Sequence, residues 1–514
     1  MAKVILIVPK GVRYPLYPHL GLLYLAAMIH QDYSVKIIDC SVEPDPDKLL
    51  KMHLTSDTLC VGITSMTGAQ IGGGLKIASL VRGMRPDLPL VWGGIHATLD
   101  PRGTLSHPLV DIVCQGEGEL SFPLVIKSLA EKKSLDEIPG IGYKHNGKSA
   151  FTEPGKEFFD LNQLPLLPFS LVNLPAYDRI NFLKLFNPPT HYVFGFKNKS
   201  VGGLETTRGC PYQCTYCVRS IKREPIHFME VGMVMRHIEH MRSHNIRSIE
   251  FVNDNFFCNL DWARNLLQEI KEQNWRMEFF LNVRADFLAK VDKSILDLME
   301  SAGVLTIGVG AESGSDRMLG IINKQAASGD ALIANRRIKK HRIMALFGFL
   351  GGFPDERLDD IIKTYLSMFM IMLKNPRSKV MFSKLFPNVN TPVYQRCLEK
   401  GLPPRARLDE WVDALDLSWR GKKTVYIEPE VEEWVLSTQY FRDLITIIWI
   451  LRSPYDSFKR RLMRFFAVGL FWLCALPVII RARFRLTGPG PDTLLGEAFR
   501  KLGRVMKINK GYNF

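Results

Sequence analysis

The chain has 514 residues and a formal net charge of +15, and it is 46% hydrophobic and 23% charged. This length predicts two to four domains with cores of their own, and the lack of low-complexity tracts and repeats excludes disordered and repeat-protein classes. The surplus of positive charge is not interleaved with aromatic residues on a recognised nucleic-acid-binding module, so we expect no nucleic acid among the partners.

The cysteines indicate a reducing compartment. Six of the nine are scattered among apolar or strand-like neighbours, as is typical of buried thiols, at Cys40, Cys60, Cys114, Cys258, Cys397 and Cys474. Residues 1–9 form a strand pattern without the apolar segment and cleavage site of a signal peptide. We therefore expect a cytoplasmic protein.

Residues 1–150 alternate short β-branched runs with helical stretches. Strands are predicted over 3–9, 35–39, 58–64, 89–93 and 112–114, with helices over 20–30 and about 73–84. Strands that recur between helices indicate an α/β fold with a doubly wound parallel sheet, which binds ligands at the carboxyl ends of its strands.

Small and hydroxyl-bearing residues follow three of these strands. The loops read Thr-Ser-Met-Thr over 64–67, Gly-Gly-Ile-His over 93–96 and Gly-Glu-Gly-Glu over 116–119. Such residues let backbone amides approach a large polar ligand closely. Each loop alone is equally typical of a plain turn that closes a βα unit.

Residues 151–200 are predicted to be a proline-rich linker. Three prolines stand at short spacing among apolar residues over 161–177. Proline rigidity favours an extended segment that lies along both neighbouring domains rather than a free tether.

Residues 207–217 place Cys210, Cys214 and Cys217 in a C-x3-C-x2-C array. Three thiolates at this spacing can bind three irons of a four-iron four-sulfur cubane, which leaves one iron open to another ligand. A zinc site would need four ligands, usually in paired C-x2-C units, and a thioredoxin-like pair would need one C-x-x-C motif. The third cysteine fits neither alternative.

From 201 to 394 the alternation of strands and helices resumes with the spacing of a barrel. Strands are predicted over 204–207, 248–252, 278–283, 304–309, 345–350 and 379–383, and helices over 261–274, 293–302 and 359–373. Six such units would form a partial (β/α)6 barrel similar to a TIM barrel, with its chemistry at the carboxyl-terminal mouth.

The cysteine array, with Gly-Cys-Pro at its start and Tyr216 before the last cysteine, resembles the cluster loop of the radical S-adenosylmethionine (SAM) enzymes. The resemblance implies a 4Fe-4S cluster whose open iron chelates SAM. It also implies that one electron from the cluster cleaves SAM and releases a 5′-deoxyadenosyl radical.

The same family implies SAM contacts after successive barrel strands. The residues at these positions are Tyr216, Asp254, Asn255, Asn282, Arg284, Glu312, Ser313 and Gly351. Arg284 would meet the SAM carboxylate, because Arg binds that group in a bidentate fork. Each residue taken alone could instead be a surface cap or part of a structural ion pair.

Three positions of the barrel depart from the family pattern. Asp254 and Asn255 replace the common Gly-Gly-Glu sequence, so their partner on SAM stays open, and Asn390 stands where the family often has glycine.

The loops of residues 1–150 resemble those of the cobalamin-binding domain in B12-dependent radical SAM enzymes. The implied cobalamin contacts are Pro9, Thr64, Ser65, Met66, Thr67, Gly93, Gly94, His96, Gly116 and Glu117. A D-x-H-x-x-G element is absent from residues 1–150, so the lower face of the cobalt should lack a histidine from that motif. We expect His96 to anchor backbone more readily than to bind a metal.

Residues 395–514 are predicted to be mostly helical and basic. From 451 to 514 there are 13 Lys and Arg against 3 Asp and Glu, and basic residues flank an uncharged run over 465–480. This run is shorter than the roughly 20 apolar residues of a membrane span and contains Pro477. We expect an interfacial anchor over 459–485 on the cytoplasmic face of a membrane, with a buried helix or a true span as alternatives.

Together these resemblances imply a B12-dependent radical SAM enzyme, similar to the class B methylases and to the magnesium-protoporphyrin ester cyclases. We expect methylation of an unactivated carbon in a hydrophobic, membrane-associated substrate, a hopanoid or other lipid or a tetrapyrrole. A flavodoxin or ferredoxin would supply electrons. The alternative is oxidative cyclisation of magnesium-protoporphyrin IX monomethyl ester. An electron carrier would bury its cluster behind four ligands, and a B12-binding regulator is the other non-enzymatic interpretation.

Overall fold

The computed structural model describes residues 1–11, 15–155, 158–182, 196, 198, 200–221, 225–414, 424–438 and 477–487. Two large sheets organise these residues. One has seven strands and the other has six, and each is covered by helices. The predicted α/β fold with two large, mainly parallel sheets is confirmed.

The first sheet contains the strands of residues 1–151. Strands β1 to β7 are Lys3–Val8, Ser34–Asp39, Thr58–Thr64, Leu90–Gly93, Ile112–Cys114, Ile141–His145 and Lys148–Phe151. Helices α1 to α6 are Leu20–Ile29, Pro46–His53, Ala69–Met84, Ile95–Leu99, Pro101–Ser106 and Gly118–Glu131. The strand order is β2-β1-β3-β4-β5-β6-β7. The near-continuous apolar sequence of β1 is completely buried from Val4 to Ile7, since helices cover both faces of a parallel sheet.

The last two strands of this sheet, β6 and β7, are not among the predicted strands. β5 to β7 pair antiparallel, so the sheet is mixed rather than wholly parallel. Asn146 and Gly147 join β6 to β7 with positive φ values of 50° and 75°. An Asn-Gly pair with positive φ at both positions is the commonest signal for a two-residue hairpin, so the sequence did carry it.

The second sheet forms the partial barrel. Strands β8 to β15 are Val201–Leu204, Thr207–Arg208, His227–Phe228, Ser248–Phe251, Glu278–Arg284, Val304–Glu312, Met344–Gly351 and Lys379–Lys384. Six of them run parallel in the order β15-β14-β13-β12-β11-β8, and β9 and β10 form a separate antiparallel pair. The predicted strand over 204–207 is therefore divided between two sheets.

Most of the helices that follow in the chain cover the outer face of this barrel, whereas the first of them contacts β2 of the first sheet. Helices α7 to α16 are Leu174–Phe182, Val231–Ser243, Leu260–Glu272, Ala285–Lys290, Lys293–Ser301, Asp316–Ile321, Asp330–Ile338, Leu358–Lys374, Pro392–Glu399 and Pro429–Ser437. Alternate side chains such as Phe251, Leu281 and Ile307 pack into the core under the helices. Because side chains alternate across a strand, Gly308 and Gly310 face the interior and leave room there.

The proline-rich segment packs against both domains. The Tyr177 hydroxyl donates to Asp39 on β2 at 3.0 Å, and His240 on α8 contacts the Leu167 carbonyl oxygen at 2.8 Å. Leu161 and Leu164 are almost fully buried beside the barrel core. These contacts hold the two sheets in a defined relation to each other.

The structure describes only part of the basic C-terminal region. Most of the uncharged run over 465–480, and the basic residues before it, lie outside the described residues. A helix over 477–484 packs Val478 and Arg481 against the protein, and Arg485 pairs with Asp359 at 3.0 Å. No helix within the described ranges has the length and apolarity needed to cross a membrane.

Candidate cofactor site between the two domains

The cysteine loop follows β9 and is fastened to the barrel by hydrogen bonds at both ends. The Asp254 carboxylate accepts from the Gly209 amide at 3.0 Å, and the Ile322 carbonyl accepts from the Thr215 amide at 3.0 Å. The Thr215 carbonyl in turn accepts from the Val393 amide at 3.1 Å. The loop that carries the three cysteines is therefore tied to the rest of the domain at Gly209 and Thr215.

The three thiols of the loop lie close enough to influence one another. Burial raises the pKa of Cys214 and of Cys217, and the other loop thiols raise them further. Cys258, expected to be a scattered buried thiol, instead lies beside the cysteine loop with intermediate exposure. A hydrogen bond from Cys258 lowers the pKa of Cys210 to about 6. A cysteine whose pKa is near neutrality loses its proton readily, and the resulting thiolate is a good metal ligand.

Three cysteine thiols from one loop are a donor set that an iron-sulfur cubane can use. Within the described ranges, no three His, Cys, Asp or Glu side chains are close enough together to bind one metal ion. Each cysteine of a cubane binds a different iron, so its sulfurs are spread apart. Cys210, Cys214 and Cys217 are the residues that would hold such a cluster.

Tyr216 and Glu312, both expected at SAM, meet beside this loop. The Tyr216 hydroxyl donates to the Glu312 carboxylate, which is also paired with Lys324 at 2.9 Å. Glu312 has a φ of 62°, which is rare for a residue other than glycine. Strained backbone of this kind persists only where the surroundings enforce it, and it is common at ligand sites.

Arg284 lies under the same loop but is already engaged by the protein. Its Nε donates to Asp286 at 2.9 Å, its Nη2 donates to the Lys324 carbonyl, and its guanidinium lies 3.5 Å from the centre of the Tyr212 ring. A bidentate contact with the SAM carboxylate would require some of these bonds to be exchanged.

The remaining SAM candidates are divided between the barrel mouth and its framework. Asn255 is 6% exposed, and its Oδ1 atom has no hydrogen-bond partner within the described chain, so it is an acceptor open to a ligand. Asn282 lies at the inner face against Gly308. Ser313 hydrogen-bonds Thr364 at 3.1 Å, and Gly351 packs tightly on Phe382, so both support the barrel instead of facing its interior.

A cavity of about 850 Å³ lies between the first sheet and the barrel mouth. The first domain contributes Thr64, Gly93, Gly94, Gly116 and Glu117 at its strand ends, and the wall continues down to Leu6 and Gly62 on the strands. The barrel contributes Glu205, Arg208, Val218, Arg219, Val252, Asp254 and Asn390. Because Val218 directly follows Cys217, the cysteine loop forms part of this wall.

The glycines of the first domain fit a large flat ligand in this cavity. Gly116 has a φ of 73°, and a Cβ atom placed there would meet no protein atom within 4 Å. Gly94 has a φ of 90°, and a Cβ atom there would lie 2.8 Å from the Ser65 carbonyl oxygen. The backbone at Gly116 can therefore approach a ligand closely, whereas glycine at Gly94 is required by the packing of its own loop against Ser65.

Five of the expected cobalamin contacts do not line the cavity. Met66 is exposed at 55%, and the other four are buried under the loops, at Pro9, Ser65, Thr67 and His96. His96 has no exposed surface, contacts Thr67 at 2.9 Å and packs against the ring of Trp411. Burial lowers its pKa to about 4. His96 thus anchors the loop on the side that faces the protein interior, and it is not placed to bind cobalt.

An ionic network joins the two domains at the cavity wall. Arg208 donates to Glu117 at 3.0 Å and to Glu119 at 2.6 Å, both from the first domain, and to Glu205 at 2.8 Å. The Arg208 side chain is only 8% exposed, so water screens these pairs weakly. The Asn390 amide also donates to the Leu99 carbonyl across the interface at 2.7 Å.

Comparisons with known proteins agree with this architecture. Residues 8–126 match the B12 binding domain, and residues 204–368 match the radical SAM superfamily. An uncharacterized methyltransferase of Pyrococcus horikoshii is 30% identical over 358 residues, which are 68% of this chain and 72% of the relative.

The chain belongs to the cobalamin-dependent radical SAM enzymes. The expected family is thereby confirmed, and the two domain matches assign it cobalamin, a 4Fe-4S cluster and SAM as cofactors. A further relative, the anaerobic magnesium-protoporphyrin IX monomethyl ester cyclase of Synechocystis, is 24% identical over 357 residues and matches 67% of each chain.

A solved structure supports the fold independently. The cobalamin-dependent SAM radical enzyme OxsB, with aqua-cobalamin and SAM bound, superposes with a TM-score of 0.72 at 16% identity, over 99% of this chain and 75% of that one. At this identity the likeness shows the fold alone.

Several residues of the site were missed by sequence reasoning. Arg208 adjoins the Gly-Cys-Pro signature, and Glu119 closes the Gly-Glu-Gly-Glu loop, so both stood inside recognised motifs. Lys324 carries no sequence signal, because only the folding of the barrel brings it to Glu312. Asp286 is two residues from Arg284 in the chain, but no motif marks it as the partner of Arg284.

Proposed function

We propose that this enzyme methylates an unactivated carbon of a hydrophobic molecule, a hopanoid or other lipid or a tetrapyrrole. A flavodoxin- or ferredoxin-type protein would supply the electrons. When bound, the cluster supplies the electron that cleaves SAM, and cobalamin supplies the methyl group.

The observation that carries this proposal is the shared cavity. Its wall includes Val218 and Arg219, directly after the last cluster cysteine, and Gly93 and Gly116 from the corrin-binding loops. A methyl donor on one side of this space and a substrate activated on the other side can react only if both are held in one enclosed volume. This arrangement therefore favours an enzyme that transfers a chemical group between bound molecules over an electron-transfer protein.

The chain's own residues position the reactants and exclude water. Cys210, Cys214 and Cys217 would hold the cluster, and the amide group of Asn255 offers a buried acceptor at the SAM end of the site. The Tyr216–Glu312–Lys324 group is a compact charged anchor beside the loop. The Arg208 network closes the interface between the domains, which limits access of solvent to reactive species.

The hydrophobic substrate is supported by the apolar side chains of the cavity and by the C-terminal sequence. Leu20, Leu99 and Leu120 lie in the wall beside the polar loops. The basic residues around the uncharged run over 465–480 suit a membrane surface with anionic lipids. We accordingly place the enzyme at the cytoplasmic face of a membrane through residues 459–485.

The second candidate function is an oxidative ring closure without methyl transfer. The similarity to a magnesium-protoporphyrin monomethyl ester cyclase over two thirds of each chain favours it. Both reactions begin with the same activation of SAM, so the two candidates differ only in the fate of the substrate.

The test begins with anaerobic reconstitution of the full chain with iron, sulfide and cobalamin, followed by SAM and dithionite. Formation of 5′-deoxyadenosine is expected in wild type and not in the Cys210→Ala variant. No 5′-deoxyadenosine from a wild-type protein with a full cluster would contradict the enzyme proposal.

The substrate is then sought in extracts. Membrane lipids and pigments from cells with and without the protein are compared by mass spectrometry after feeding methyl-labelled methionine. A labelled product heavier by one methyl group supports methylation. An unlabelled product with an added ring supports the cyclase alternative instead.

A further inference from the structure

His19 stands at the start of α1 and forms part of the cavity wall, although no sequence motif singled it out. It is the N-cap residue of α1, with φ −62° and ψ 110°. Its ring nitrogen Nδ1 accepts a hydrogen bond from the Leu22 amide at 3.3 Å. The imidazole therefore satisfies one of the free amides at the helix start.

This cap decides which ring nitrogen carries the proton. A nitrogen that accepts a hydrogen bond is unprotonated, so the neutral ring must carry its proton on Nε2. Burial lowers the pKa of His19 to about 4, which keeps the ring neutral at physiological pH. Nε2 of His19 is therefore a permanent N–H donor.

This donor has no partner on the part of the protein that the structure describes. The two nitrogens of an imidazole point in nearly opposite directions, so Nε2 points away from α1. The same cavity wall includes the apolar residues Leu20, Leu22, Leu25 and Phe122, and Nε2 has no acceptor on another described residue. This N–H is therefore open to an acceptor on a ligand in the cavity.

We propose that His19 donates a hydrogen bond from Nε2 to an amide carbonyl oxygen at the edge of the corrin ring. The inference rests on cobalamin occupying the cavity. Corrins carry amide side chains around their rim, and the amide carbonyl is a good acceptor for a neutral imidazole N–H. His19 is thus a positioning residue for the cofactor and not a ligand of its cobalt.

Cobalt ligation by His19 would need the opposite tautomer. Nε2 would have to lose its proton to Nδ1, and the Leu22 amide would then lose its acceptor. Hydrogen-bond donation by Nε2 and cobalt ligation by Nε2 can be told apart by electron paramagnetic resonance. A nitrogen ligand splits the resonance lines of Co(II), whereas a hydrogen bond to the corrin rim does not.

The test uses the full chain and measures cobalamin binding rather than activity. His19→Ser keeps a favoured helix cap but cannot reach the cavity, and His19→Asn is a second cap-preserving variant should His19→Ser fold poorly. His30→Ser, at the other end of α1, is the matched control. The dissociation constant of aquacobalamin is measured by absorption, and thermal midpoints are recorded for every variant.

We expect His19→Ser to weaken aquacobalamin binding by about 2- to 10-fold, the worth of one hydrogen bond, with an unchanged thermal midpoint. His30→Ser should bind like wild type. Unchanged affinity in both cap-preserving variants would overturn the proposal. So would nitrogen splitting in the Co(II) spectrum of wild type that is lost in His19→Ser, since it would make His19 a ligand.

The failure of this inference is distinguishable from that of the proposed function. Wild type that binds no aquacobalamin would overturn both this proposal and the assignment of the cavity. Wild type that binds cobalamin but methylates nothing would leave the role of His19 intact.

Discussion

Replacement of Arg208 by methionine tests whether the network at the cavity wall holds the two domains together. Methionine keeps most of the buried volume but removes the cation that contacts Glu117, Glu119 and Glu205. Glu117 retains a hydrogen bond from the Phe159 amide at 2.6 Å. Glu119, 6% exposed, loses its only cation in the described structure.

The expected effect is large because the charges are buried. Removing one partner of a buried ion pair typically costs about 3–5 kcal/mol, since an uncompensated charge stays in the interior. Unfolding entropy is about 2.1 cal/mol/K per residue, so the thermal midpoint should fall by about 3–5 °C if the whole chain unfolds together. It should fall by about 7–12 °C if a barrel of roughly 190 residues unfolds alone.

The assay is calorimetric unfolding of the cofactor-free protein in low and high salt. Arg342→Met is the matched control, because the Arg342 side chain is 93% exposed and should shift the midpoint little. In a protein that already carries Glu117→Gln and Glu119→Gln, Arg208→Met should lower the thermal midpoint much less than it does in wild type. A midpoint for Arg208→Met within about 1 °C of wild type, or full additivity of the three substitutions, would refute the reasoning.

Three further outcomes are expected. Cys210→Ala should lose most of the iron and visible absorption of the reconstituted cluster, whereas Cys397→Ala, at a fully buried thiol outside the loop, should keep both. Burial raises the pKa of Glu356 from 4.5 to about 8, so the free energy of unfolding should fall as pH rises across this interval. Glu356→Gln should flatten that slope in urea titrations, and an unchanged slope would contradict the assignment. Gly116→Ala should weaken aquacobalamin binding, and the positive φ at this position should lower the free energy of unfolding by about 1–2 kcal/mol. Gly94→Ala should mainly lower the thermal midpoint, because its Cβ atom would meet the Ser65 backbone. If Gly94→Ala weakened aquacobalamin binding and Gly116→Ala left it unchanged, the result would contradict cobalamin binding in this cavity.

Local sequence patterns were enough to predict the architecture. Apolar β-branched runs marked β1, β3 and the barrel strands, because a strand buried on both faces needs such residues along its whole length. The spacing of Cys210, Cys214 and Cys217 indicated the cluster, because cluster ligation depends on residues close in the chain. Each of these patterns lies within a short stretch of the chain. The fold class, the family and the cofactors could therefore be predicted from the sequence.

The tertiary structure alone decided which side chains meet. Arg208 lies 89 residues from Glu119, and only the docking of the two domains brings them together. His96 occupies a loop that suggested a cofactor contact, yet the loop turns its ring inward to Thr67 and Trp411. His19 carried no motif but faces the cavity. The physical reason is that a sequence pattern records whether a residue is buried or exposed, whereas its partners are set by the packing of elements distant in the chain.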